Sequence, residues 1–87
     1  MQSVEINKRI KVRADFTPDG KIVPLMFKTA QREPYHVRKV NAVWEDRASK
    51  RRVVYFSLTV TESDDVFQLR YCESDRTWWI DSLLMDA

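Results

Sequence analysis

The amino-acid sequence predicts an all-β domain: a six-stranded antiparallel meander forming a strongly curled sheet or small open barrel. Three observations predict it. Apolar and polar residues alternate with a period of two along most of the chain, the pattern of half-buried strands. Short polar turns of about four to six residues separate the alternating runs, and no run of about ten residues competes as a helix. At 87 residues the chain is expected to form one domain over residues 1–87, and a flat sheet of that size would leave one face uncovered, which favours curling.

The first strand starts at Val4. Its even positions, Val4, Ile6, Lys8, Ile10, Val12, Ala14 and Phe16, are apolar at six of seven, whereas Glu5, Asn7, Arg9, Lys11, Arg13 and Asp15 are all odd and polar. So long a strand is expected to bend near Lys8 and serve two parts of a curled sheet. Thr17-Pro18-Asp19-Gly20 then closes a hairpin, because Pro18 presets φ, Asp19 tolerates turn dihedrals and Gly20 accepts the left-handed conformation. The second strand, Lys21 to Lys28, contains Pro24, which lacks an N–H and therefore belongs at an edge or a bulge. A polar loop, Thr29 to Pro34, leads to the third strand, Tyr35 to Glu45. There Tyr35 and Val37 share one parity and Val40, Ala42 and Trp44 the other, a phase change that a β-bulge near Arg38 and Lys39 would produce.

A charged loop, Asp46 to Lys50, precedes the clearest strand, Arg51 to Thr61. Val54, Phe56, Leu58 and Val60 point one way in it, and Tyr55, Ser57, Thr59 and Thr61 the other. Glu62 to Asp65 turns into Val66 to Cys72, where Phe67, Leu69 and Tyr71 alternate with Gln68 and Arg70. Glu73-Ser74-Asp75-Arg76 turns again, and Trp78 to Met85 is the last strand, with a terminal turn available to Ser82 to Ala87. Adjacent strand residues point to opposite faces. One of Trp78 and Trp79 is therefore expected in the core and the other outward as a binding or dimer contact, unless the curl buries both.

Composition narrows the function. Gly20 is the only glycine, so phosphate loops and dinucleotide fingerprints, which need several at fixed spacing, are excluded. A hydrophobic content of 44% is too high for intrinsic disorder. No apolar run spans a membrane and the N-terminus lacks a signal h-region, so a soluble, cytoplasmic protein without membrane contact is expected. Cys72 is the single cysteine; it permits no internal disulfide and reads as a buried structural thiol. His36 is the single histidine, too little for a zinc site, and Cys72 with His36 is the one Cys-His pairing available. Glu62, Asp64, Asp65 and Asp75 read as solvating turn acids. No catalytic residue, metal site or cofactor is expected.

Charge is the more informative property. The net charge is +2, yet residues 1–52 hold 13 of the 15 Lys and Arg and a balance of +7, while residues 53–87 have a balance of −5. Arg9, Lys11 and Arg13 share the outward face of the first strand, about 7 Å apart at each step. Arg38 and Lys39 lie in the third strand, and Lys50, Arg51 and Arg52 lead into the fourth. With Tyr35, Tyr55, Trp78 and Trp79 interleaved, these cations form a candidate surface for single-stranded nucleic acid, phosphates meeting charge and bases meeting rings. The alternative reading is a protein-interaction or self-association module, a homodimer among its forms, that uses a strand edge and aromatic anchors.

The core pattern also resembles a family of small, uncharacterised bacterial all-β domains. Pro24 and Phe27 match its first strand, Tyr35, Val37, Val40 and Trp44 its second, and Tyr55, Phe56, Leu58 and Val60 its third; Phe67 and Leu69, then Trp78 or Trp79 with Leu83, complete it. The resemblance spans about three quarters of the chain. Some members look like companions of DNA repair or translesion polymerases, so the resemblance implies nucleic acid or a DNA-processing protein as partner and supplies no catalytic residues.

Overall fold

A computed structural model of the chain describes residues 2–30, 33–47 and 51–85. All six expected strands are present: β1 (Gln2–Phe16), β2 (Ile22–Lys28), β3 (Tyr35–Asp46), β4 (Val53–Val60), β5 (Val66–Cys72) and β6 (Thr77–Met85). Each is antiparallel to the next. β1 divides its length between two neighbours, pairing with β6 as far as Ile10 and with β2 from Lys11 onward. The antiparallel meander thus curls into the expected small barrel, and that division of β1 closes it in the order β1-β2-β3-β4-β5-β6. The last strand runs through Met85 rather than turning at Ser82. Residues 31–32, 48–50 and 86–87, which include parts of the expected loops and terminal turn, lie outside the described residues.

Bulges bend the strands where the alternation falters. The β1–β6 register slips between Glu5 and Lys8, and Asn7 there has a φ of 50°, a left-handed conformation that asparagine tolerates. On β2 the pairing passes from Ala14↔Pro24 to Arg13↔Met26, leaving Leu25 as the extra residue. Pro24 thus sits buried at a bulge. β3 slips against β4 at Arg38, as expected, and again at Asn41.

Gly20 closes the first hairpin at a φ of 86°, with its N–H donating to the Thr17 carbonyl at 3.0 Å. A Cβ there would meet nothing within 4 Å, so only backbone strain opposes a side chain. Gly20→Val is expected to cost about 1 kcal/mol or more, read as a lower midpoint in thermal unfolding. Arg76, in the turn between β5 and β6, is also left-handed, with a φ of 56°.

The core is lopsided. Among the described residues, nine of eleven buried apolar side chains come from β4, β5 and β6: Val54, Phe56, Leu58, Val60, Phe67, Leu69, Tyr71, Trp78 and Ile80; Pro24 and Phe27 of β2 are the other two. The β1–β3 half contributes partly buried residues, among them Ile6, Ile10, Val12, Ile22, Val37 and Val40. The barrel therefore has a thick acidic half, residues 53–87, that carries the core, and a thin basic half whose outer surface is free to carry charge.

Candidate nucleic-acid interface

Ile6, Ile10, Val12 and Ala14 of β1 pack against the core, whereas Val4 and Phe16, expected inside with them, are exposed; Arg9, Lys11 and Arg13, on the other parity, are presented to solvent. Across the β1–β2 seam Lys11 lies directly opposite Lys28. Like charges placed opposite one another in a sheet are destabilising, by a few tenths to about 1 kcal/mol, so this pairing does nothing for the fold. Among the described residues, none of Arg9, Lys11, Arg13 and Lys28 takes part in an ion pair. The surface between them is concave. A cavity of about 440 Å³ is lined by Lys11, Arg13, Met26 and Lys28, and a second of about 450 Å³ by Arg9, Lys11, Lys28 and Thr29. A third, of about 650 Å³, shares Arg9 and Thr29 with the second but is lined mainly by Ile6, Tyr35, Phe67, Ile80 and Leu83, so it opens toward the core. The first two share Lys11 and Lys28 and form a basic groove along the seam.

An aromatic and guanidinium belt adjoins the groove. Cross-strand pairing aligns Arg9, Trp79, Arg70, Tyr55 and Trp44 across β1, β6, β5, β4 and β3. The Trp79 ring has the Arg9 guanidinium 5.9 Å and the Arg70 guanidinium 5.1 Å from its centroid, while its Nε1–H donates to Thr77 Oγ1 at 3.1 Å. Trp44 stacks on Tyr55 with centroids 5.6 Å apart. Of the two adjacent tryptophans, Trp78 is the buried one and Trp79 lies half-buried on the outer surface. Arg70 holds the belt in place: it reaches Asp81 at 3.1 Å and donates to Asn7 Oδ1 at 3.3 Å. Asp81 is the extra residue of β6 and Asn7 lies in the slip of β1, so one guanidinium ties both irregularities together.

The remaining cations do not join the groove. Arg38 of β3 lies 3.7 Å from Asp64, and Lys39 stands opposite Thr59. Arg51 and Arg52 precede β4, which is separated from β1 by two strands in either direction around the barrel. Arg52 is held by Glu45 at 2.5 Å and Glu73 at 2.6 Å, clamping the end of β3 to the β5–β6 turn. The structure thus brings together Arg9, Lys11 and Arg13 and adds Lys28, which the expected site did not include. Lys28 was within reach of the sequence: a hairpin centred on Thr17-Pro18-Asp19-Gly20 puts Phe27 opposite Lys11, and one bulge residue at Pro24 moves Lys28 there.

His36 has a different role. Its Nδ1 and backbone N–H donate to the Glu62 carboxylate at 2.6 and 2.8 Å, strapping β3 to the turn after β4. Its side chain is 58% exposed. Cys72 pairs with Val53, whereas His36 accepts from the Thr61 N–H beyond Val60. They occupy opposite ends of β4, and no Cys-His pair forms. Among the described residues no three His, Cys, Asp or Glu side chains gather as a metal site, and no helix is long and apolar enough to cross a membrane.

Two carboxylates respond to these straps. The His36 ring and backbone hold Glu62 below the ordinary glutamate value of 4.5, and the Arg52 hydrogen bond, aided by Arg47, does the same for Glu45. Both bind protons less readily folded than unfolded. Their stabilisation is therefore complete above that value and is lost as pH falls through the lower folded values. Thermal midpoints should fall as pH drops below 4.5, and less steeply in Glu45→Gln/Glu62→Gln. No protein-family model, curated protein or solved structure matches the chain.

Proposed function

We propose that this protein is a non-enzymatic binding module that holds single-stranded nucleic acid along the β1–β2 groove. The observation that carries the reading is the Lys11–Lys28 pair: two opposed, unneutralised cations that the fold does not need, flanked by Arg9 and Arg13. Outward residues on one strand recur every ~7 Å, so β1 offers a row of cations to a phosphate backbone. Trp79 beside Arg9 offers a π surface at the margin of the groove. The family resemblance of the core pattern tilts toward the same partner class.

Fluorescence anisotropy with a labelled oligothymidine tests the reading. Four cation–phosphate contacts on a single strand give a slope of log K against log salt of about −2.8, or roughly a 50-fold loss of affinity between about 50 and 200 mM salt. Absence of binding at the lower salt, or binding indifferent to salt, would overturn it.

A further inference from the structure

We infer that the seam between β2 and β3 is a docking edge for a second copy of this chain, which adds its own β3 in antiparallel fashion. β3 is paired with β4 from Val37 to Asp46, but with β2 only through Tyr35 and His36. Beyond those two residues the strands part, and on that side the backbone of β3 is left without a strand partner over about 30 Å. Unpaired strand edges of this kind recruit further strands.

The side chains around the parting fit such an addition. A cleft of about 450 Å³ opens there between Ile22, Val23, Val40, Val43, Val54 and Phe56. Val43 is opposite Phe56 and so belongs to the core-facing side of β3, yet it is 54% exposed. Val23, which lines the same cleft, is exposed as well, and exposed apolar residues lining one cleft mark an interaction surface.

The order of charge along β3 selects the occupant. Near its start His36 and Arg38 are engaged by Glu62 and Asp64, and at its end Glu45 is engaged by Arg52, so among the described residues Lys39 and Asp46 are the charges that β3 offers to a partner. Two copies of β3 running antiparallel set the basic end of each against the acidic end of the other, with Val40, Ala42, Val43 and Trp44 between. A parallel arrangement would oppose like charges. The contact is isologous, so it uses up both edges and closes as a dimer.

Sedimentation equilibrium and amide hydrogen exchange on the full chain test this from about 1 µM to 1 mM, a range that spans weak association. The expected results are a mass that rises from 10.4 kDa to twice that value and β3 amides that become protected as it rises. Val43→Lys puts a charge in the apolar centre and should weaken association by about tenfold or more. Lys39→Glu should weaken it too, with Asp46→Lys in the same chain restoring it. Lys11→Glu should leave it unchanged, which separates this surface from the nucleic-acid groove. A monomer at every concentration, or a dimer insensitive to Val43→Lys, overturns the inference; a monomer that instead protects β3 when a foreign peptide is added overturns it in favour of that occupant.

Discussion

Phe56→Ala is expected to lower the thermal midpoint by roughly 15–30 °C, the largest single effect on stability in the molecule. Phe56 is fully buried in the middle of β4. Its ring stacks on Trp78 with centroids 5.5 Å apart, and its backbone pairs with Val43 on one side and Leu69 on the other. Truncating such a side chain costs about 3–5 kcal/mol in transfer energy and cavity. A domain of this size has about 4–13 kcal/mol in total, and the thin β1–β3 half has little apolar volume with which to fill the void. Circular dichroism melts measure the effect. Val43→Ala on the neighbouring strand serves as the contrast, since a half-exposed valine beside the open cleft leaves no enclosed cavity.

Lys11→Glu/Lys28→Glu is expected to weaken binding of a single-stranded oligonucleotide by about 100-fold at low salt, because two phosphate contacts become repulsions. Lys28→Glu alone makes the sharper comparison. It converts a like-charged cross-strand pair into an opposite-charged one, so the midpoint should stay level or rise slightly, while affinity falls by about tenfold. Stability and binding moving in opposite directions is the signature of a charge kept for a ligand. Arg52→Gln should behave in the reverse way: the midpoint falls because Glu45 and Glu73 lose their shared partner, and binding stays level because Arg52 lies across the barrel from the groove.

The strands were legible because the alternation in β1, β4 and β5 is nearly unbroken, and the bulges were legible where it breaks, at Lys8, Pro24 and Arg38. Closure of the barrel was not. No local feature of Gln2–Ile10 names β6 as its partner; only the length of β1 hints that it serves two neighbours. The same gap explains the candidate site. Alternation assigns Arg9, Lys11 and Arg13 to one face, but it is silent on which strand lies beside which around the barrel, so Arg51 and Arg52 looked like members of one patch. Lys28 depends on counting the bulge at Leu25 into the hairpin register. The parting of β2 from β3 depends on bulges in both strands at once, at Leu25, Arg38 and Asn41, and no single stretch of sequence encodes it.

The most direct test of the proposed function is a map of amide and indole chemical shifts during titration with an oligothymidine. The account predicts that the perturbed resonances are those of residues 8–13 and 26–29 and the Trp79 indole, and that they fade together as salt is raised. Perturbations centred on Arg51 and Arg52, or an unperturbed β1 at saturating oligonucleotide, would contradict it.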